Sequence, residues 1–249
     1  MSDLPKRLAE AIRTRTAIAP EAGDLTVDEA YELQDELIAL LDLPPQAAKL
    51  GLTSVAKQQQ MHVDEPAYGW LLRGTQIETG TALSCGELIQ PRVEPEIAFR
   101  IDRDLGGPSV TATDVLAATA TVMPAIDVLD SRYAGYEFTL PAVIADNISS
   151  GRYALGAPVP AAGLDLRVLG CVFERNGELV DTAAGAAVLD HPAAAVAWFV
   201  RSLHQRGRVL EAGTVVLAGA WTAAIQVSPG DVVRASFDRI GAVELRCGV

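Results

Sequence analysis

Histidine is scarce in this chain and joins no motif. His62, His191 and His204 stand far apart. No HExxH, GxSxG, GxGxxG or Walker phosphate loop occurs, so zincin, α/β-hydrolase and nucleotide-binding chemistry have no support. A Ser or Cys nucleophile has no motif-borne histidine to activate it. Cysteine is nearly as rare: Cys85, Cys171 and Cys247 are odd in number and form no CxxC pair. A disulfide framework or zinc ribbon is excluded, and small buried thiols in a reducing cytosol are expected. Positive charge is also short. Twenty Lys and Arg face 32 Asp and Glu, a net charge of −12, which disfavours nucleic acid and anionic membranes as partners. A small anionic substrate stays compatible, because a bound metal reverses the local field. Long apolar runs are missing as well. Nothing approaches the roughly 18 residues of a membrane span, and the first residues lack the apolar core of a secretory signal. A soluble cytoplasmic protein is expected. Aromatics make up only 5%, so Ala, Val and Leu must fill the core.

What is present has two textures. Leu4, Leu8 and Ile12 form a short helical stripe. Thr26 with Glu29 fits a capping box ahead of a second helix, whose apolar face is Ala30, Leu33, Leu37, Leu40 and Leu41. "LPP" at 43–45 stops it. Residues 1–45 are therefore expected to be a helical N-terminal segment. From there the chain reads as one compact mixed β unit, residues 46–249. "AAKLGLT" looks like a strand and "VAKQQQM" like a helical turn. Further strands are predicted at 92–101, 153–159, 165–174, 214–218 and 231–237. Helical texture interrupts at 113–122 and 192–206, with Pro192 at a first helical position. Asn176-Gly177 is a hairpin turn and "SPGD" at 228–231 another turn.

The segment "PRVEPEIAF" at 91–99 carries the chemistry. Alternate residues of a strand share a face. Val93, Pro95, Ile97 and Phe99 then point to the core, and Glu94 and Glu96 stand side by side opposite them. Two like charges there need solvent, a cation or a shared proton. A solvated strand face is the plain alternative. A third acid, Asp127, sits in a dense apolar run with Met123, Ala125, Ile126, Val128 and Leu129, where an unpaired carboxylate is costly. It is well explained as a third ligand. Three carboxylates without His or Cys suit Mg²⁺ or Mn²⁺ rather than Zn²⁺.

Five ordered motifs add a resemblance: "KLGLTSVAKQQQMHVDEPAYGWLL" at 49–72, "QPRVEPEIAF" at 90–99, "DSRYAGYEFTLPAVIADNISS" at 130–150, "GAAVLDHP" at 185–192 and a late "PGD". Together they resemble the fumarylacetoacetate hydrolase superfamily, in its branch of 2-oxopent-4-enoate hydratases and 4-oxalocrotonate decarboxylases. The resemblance runs from about residue 26 to the C-terminus. It implies an α+β fold, a mixed β-roll with a helical N-terminal part. It implies Glu94, Glu96 and Asp127 as metal ligands, Asp127 standing where this branch usually has Glu. Lys49 falls on the motif lysine that holds the substrate carboxylate and stabilises an enolate. Leu50, Gly51, Arg132 and Ser149 fall in motifs near the substrate, although Arg132 could instead pair with Asp130 or Asp146, and Ser149 could cap a turn. Homo-oligomers, and association with a partner hydratase or decarboxylase, are implied too.

Hydratases of this branch carry Asp in a "PDYG" or "PDFG" motif. Here it is "PAYG", with Ala67 in place of the acid. "DSRY", "FTLP", "ADN" and "TAA" at 222–224 resemble the decarboxylases. The expected activity is metal-dependent decarboxylation of 2-oxohex-3-enedioate, or a similar 2-oxo-dioic acid, through a metal-stabilised dienolate. Hydration of 2-hydroxypenta-2,4-dienoate is the alternative. Acylpyruvate-type hydrolysis, or binding of a 2-oxo acid without turnover, is a further one. No His–Glu pair suits hydrolysis, so His62→Ala is expected to leave activity intact.

Overall fold

The structure is a computed structural model and describes all residues except 1–2, 21–23, 55–57, 60–62 and 64. His62 and most of "VAKQQQM" lie outside the described residues; Gln58 and Gln59 of that segment are helical. Helices α1 (Leu4–Thr14) and α2 (Val27–Leu41) come first. The capping box at Thr26 and Glu29 is formed, and Asp42 closes α2 in the left-handed region. Strands β1 (Pro45–Gly51), β2 (Ala67–Leu72), β3 (Gln76–Ile77), β4 (Ala82–Ser84) and β5 (Arg92–Ile101) follow. Next come α3 (Ala112–Ala117), β6 (Thr119–Leu129), α4 (Leu140–Ala145), β7 (Ser150–Leu155) and β8 (Val159–Pro160). The remainder is β9 (Gly170–Arg175), β10 (Glu178–Ala184), α5 (Pro192–Gln205), β11 (Val215–Leu217), β12 (Ile225–Gln226), β13 (Val232–Phe237) and β14 (Gly241–Gly248).

Among the described residues two mixed sheets result. The larger runs β2-β1-β11-β5-β6-β7-β3, with β12 added on β5 and β8 on β6. The smaller runs β10-β9-β13-β14-β4. Helix α5 covers the larger sheet, with Phe199 packed 5.0 Å from the Tyr68 ring. Gln34 of α2 donates to the carbonyls of Tyr68 and Ile144, which ties the N-terminal helices to β2 and α4. No helix among the described residues is long and apolar enough to cross a membrane.

Most expected elements form, with shifted ends. The helix expected at 113–122 is corrected: α3 stops at Ala117 and the chain turns into β6 at Thr119. Thr119, Thr121 and Val122 are β-branched and favour the pleated surface. The strand expected at 153–159 begins at Ser150 and breaks at 156–158, where Gly and Pro interrupt it. The one expected at 165–174 begins only at Gly170.

Candidate active site

The site lies on one face of the β5–β6 pair. In the antiparallel register Arg92 faces Leu129, Glu94 faces Asp127, Glu96 faces Ala125 and Ala98 faces Met123. Directly paired residues share a face, so the acids of the two strands converge. A prolyl residue sits inside each strand, Pro95 and Pro124, although proline cannot donate to a ladder. Both fall where the outer neighbour breaks. Beside β5, β11 pairs with 98–100 and β12 with 92–93, leaving a gap at 94–97. Beside β6, β8 pairs with 121–122 and β7 from 125 onward.

The gap beside β5 is filled by the turn after β11. Ala218 donates to the Ile97 carbonyl and Trp221 to the Pro95 carbonyl. Between them the Gly219 amide donates to Glu96 Oε2 at 2.6 Å. Gly219 has φ +108, and a Cβ there would lie 2.0 Å from Thr53 Oγ1. Only glycine brings that amide to the carboxylate.

Glu94, Glu96 and Asp127 are all buried, and each offers an oxygen within 4.8 Å of the others. Lys49 of β1, itself 1% exposed, pairs its ammonium with Asp127. Burial, with Asp127 and Glu94 beside it, pushes the Glu96 carboxyl well above the usual carboxylate range. Lys49 and Gly219 act against that shift without cancelling it. Without a cation this arrangement favours a proton on Glu96. Its Oε1 is buried with no hydrogen-bond partner among the described residues. Three converging hard oxygens, one of them unsatisfied, fit a small divalent cation such as Mg²⁺ or Mn²⁺. The shorter reach of Asp127 is compatible with this convergence.

Beyond the acids a cleft of about 390 Å³ opens, lined by Lys49, Gly51, Arg92, Glu94, Tyr136 and Ser149 among others. A larger cavity, about 790 Å³, lies past Met123 and Arg100 and holds none of the three acids. Ala98, Met123, Ala125, Tyr153 and Leu217 pack together on the sheet face that carries the acids. The cleft that meets the acid cluster at Glu94 and Lys49 is therefore the functional candidate.

One cleft wall is a strained turn. Asn147, Ile148 and Ser149 all take positive φ, between 50° and 51°. For β-branched Ile148 this is an outlier that surrounding structure must impose. Asn147 accepts from the Trp70 amide at 2.7 Å and donates to its carbonyl at 2.8 Å. The Ser149 carbonyl accepts from the Asp130 amide. Below the turn Arg132 pairs with Asp146 through a buried contact and donates to the carbonyls of Asp130 and Ser150. Burial lifts the Asp146 carboxyl to about 6, against the pull of Arg132.

The structure thus brings Lys49, Gly51, Ser149, Glu94, Glu96 and Asp127 together. It places two expected substrate contacts elsewhere. Arg132 does not line the cleft: its guanidinium is used up beneath the turn by Asp146 and carbonyls. Leu50 is fully buried and packs in the core, because it alternates with Lys49 along β1. Arg132→Met should then act through stability. Leaving Asp146 buried without its cation costs about 3–5 kcal/mol, read as a fall in the denaturant midpoint. Sequence reasoning also missed Tyr136 and Phe138 on the wall and the Gly219 amide. The positive-φ need at Gly219 had its glycine as a signal; the wall had none.

Comparison with known proteins fits this geometry. Residues 46–247 match the fumarylacetoacetate (FAA) hydrolase C-terminal family. This chain belongs to that family. A 4-oxalocrotonate decarboxylase of Pseudomonas sp. (strain CF600) is 40% identical over 90% of this chain and 86% of its own length. A 2-keto-4-pentenoate hydratase of Paraburkholderia xenovorans (strain LB400) is 38% identical over 95% of this chain and 90% of its own. The structure of 4-oxalocrotonate decarboxylase from Pseudomonas putida G7, complexed with magnesium and adipate, superposes with a TM-score of 0.94 at 36% identity. It covers 98% of this chain and 95% of that one. The family's curled mixed sheet is the fold seen here.

Proposed function

We propose that this chain is a Mg²⁺- or Mn²⁺-dependent carboxy-lyase acting on 2-oxohex-3-enedioate or a similar 2-oxo-dioic acid. Glu94, Glu96 and Asp127 hold the cation, and Lys49, Gly51 and Ser149 meet the substrate. The observation that carries the choice is Ala67. It opens β2 directly opposite Gly51, which shares a β1 face with Lys49, so its Cβ points to the site side of the sheet. An acid at that place would stand beside Lys49, ready to move a proton or direct water. A buried methyl group cannot. The similar magnesium-bound decarboxylase that holds adipate, a six-carbon dioate, supports the same choice.

A bound divalent cation supplies Lewis-acid polarisation of the 2-oxo group. The chain's own residues do the rest. Lys49 places a fixed positive charge where oxygen gains electron density as the far carbon–carbon bond breaks. That bond's electron pair moves into the conjugated chain, CO₂ leaves, and a later proton completes the dienol. The Ser149 hydroxyl donates at 3.4 Å to Asp146 Oδ2; turned from that long bond toward the cleft that Ser149 lines, it would donate to the near carboxylate. Tyr136, Phe138 and Ile148 wall the cleft and keep water off the carbon chain, which suits decarboxylation better than hydration. A cytoplasmic homo-oligomer, associating with a hydratase of the same branch, is part of the proposal.

The test follows CO₂ release from 2-oxohex-3-enedioate and, in parallel, loss of 2-hydroxypenta-2,4-dienoate. CO₂ release that stops on chelation and returns with Mg²⁺ or Mn²⁺ is expected. Consumption of the dienoate alone would make the protein a hydratase, the reading that its 38% identity to a hydratase favours.

A further inference from the structure

Arg92 opens β5 on the same face as Glu94 and Glu96, because all three alternate along one strand. It is half-buried and lines the cleft. Lys49 and Arg92 are the two basic residues among the described cleft lining. Their situations differ. Lys49 is committed to Asp127. The Arg92 guanidinium lies 4.0 Å over the Tyr136 ring and has no carboxylate partner among the described residues. Stacking on an aromatic face orients the planar fork while leaving its N–H edges to donate. Two strand residues advance about 6.6 Å, comparable with an extended six-carbon chain. A dioic acid with one end at the acid triad would bring its other end to this guanidinium.

We propose that Arg92 is the specificity residue for the far carboxylate of the substrate, and that it selects dioic over monocarboxylic 2-oxo acids. The inference rests on the reading above for the orientation of the substrate. A planar guanidinium and a carboxylate match in a two-point, charge-assisted contact. The same contact must not hold the carboxylate through the reaction, because CO₂ leaves without charge. Binding made in the ground state and lost in the transition state favours capture and opposes the chemical step. Partial exposure of Arg92 keeps the contact screened and moderate. Arg92 therefore belongs to capture and selection, with its effect in KM.

The experiment measures binding to the Mg²⁺-loaded full chain by calorimetry, with two unreactive ligands of equal length: 2-oxoadipate and 2-oxohexanoate. Wild type should prefer the dioate by about tenfold or more. Arg92→Met should bring the two affinities together by weakening 2-oxoadipate alone, and Arg92→Lys should keep part of the preference. In turnover, Arg92→Met should raise KM by a similar factor without lowering kcat. An unchanged preference in Arg92→Met, no preference in wild type, or an equal loss for both ligands would overturn the proposal. The equal loss would mark Arg92 as a support for Tyr136. Binding is read without turnover, so a chain that prefers the dioate but releases no CO₂ sinks the decarboxylase reading and leaves Arg92 standing.

Discussion

Asp127→Asn is expected to lower turnover by about three orders of magnitude, and Lys49→Met by a similar factor. The two losses have different causes. Asp127 contributes one of three converging oxygens, and its amide replacement is a poorer ligand for a hard cation. Lys49→Met removes no ligand but takes away the one ammonium that the described residues bring to the acid cluster. Both single variants should also unfold more easily. Each breaks a buried ion pair from one side, which costs about 3–5 kcal/mol. At about 2–4 °C per kcal/mol for a chain of this size, the melting temperature falls by about 10 °C. The double variant Lys49→Met, Asp127→Leu separates stability from chemistry. Both charges go together and the space stays filled, so most of the lost melting temperature should return. Turnover should not. If Asp127→Asn kept full turnover and metal affinity, the triad would be wrong. A double variant no more stable than Asp127→Asn would show that the Lys49 pair is not what sets the stability of this face.

The acid pair was legible because a strand's period is fixed: once 92–101 is a strand, Glu94 and Glu96 share a face whatever lies around them. Asp127 was legible only as an acid too costly to bury alone. Its place opposite Glu94 depends on the register of β5 on β6, and helical texture before residue 122 hid where β6 begins. Lys49 came through the resemblance, since nothing local says that a lysine of β1 reaches a carboxylate 78 residues on. Arg132 shows the limit of such transfer. A motif places a residue near a pocket, but its side chain follows the strongest local partner, here the buried Asp146. The positive-φ turn at 147–149 was not legible at all. Ile148 has no intrinsic preference for that conformation; Asn147 bonding to the Trp70 backbone imposes it from across the fold.

Loading with Mg²⁺ or Mn²⁺ is expected to raise the melting temperature by about 5–10 °C, and chelation to reverse it. The argument is electrostatic. With every acid ionised, three carboxylates and one ammonium would sum to −2 in a buried volume. A divalent cation cancels that sum and satisfies the Glu96 oxygen that has no hydrogen-bond partner among the described residues. The unfolded chain holds these acids apart in water and has no comparable site, so binding stabilises the folded state alone. A cation at a hundred times its dissociation constant adds about 2.7 kcal/mol. Asp127→Asn should lose most of this shift, while Arg132→Met, though less stable, should keep it, because Asp146 and Arg132 lie under the turn and outside the acid cluster. A readout that needs no substrate separates the metal site from the choice of reaction. An equal rise in wild type and in Asp127→Asn would place the cation elsewhere on this acidic chain. No rise at all, at saturating Mg²⁺ and Mn²⁺, would mean that the proton favoured on Glu96, rather than a metal, is what makes the burial of three acids tolerable.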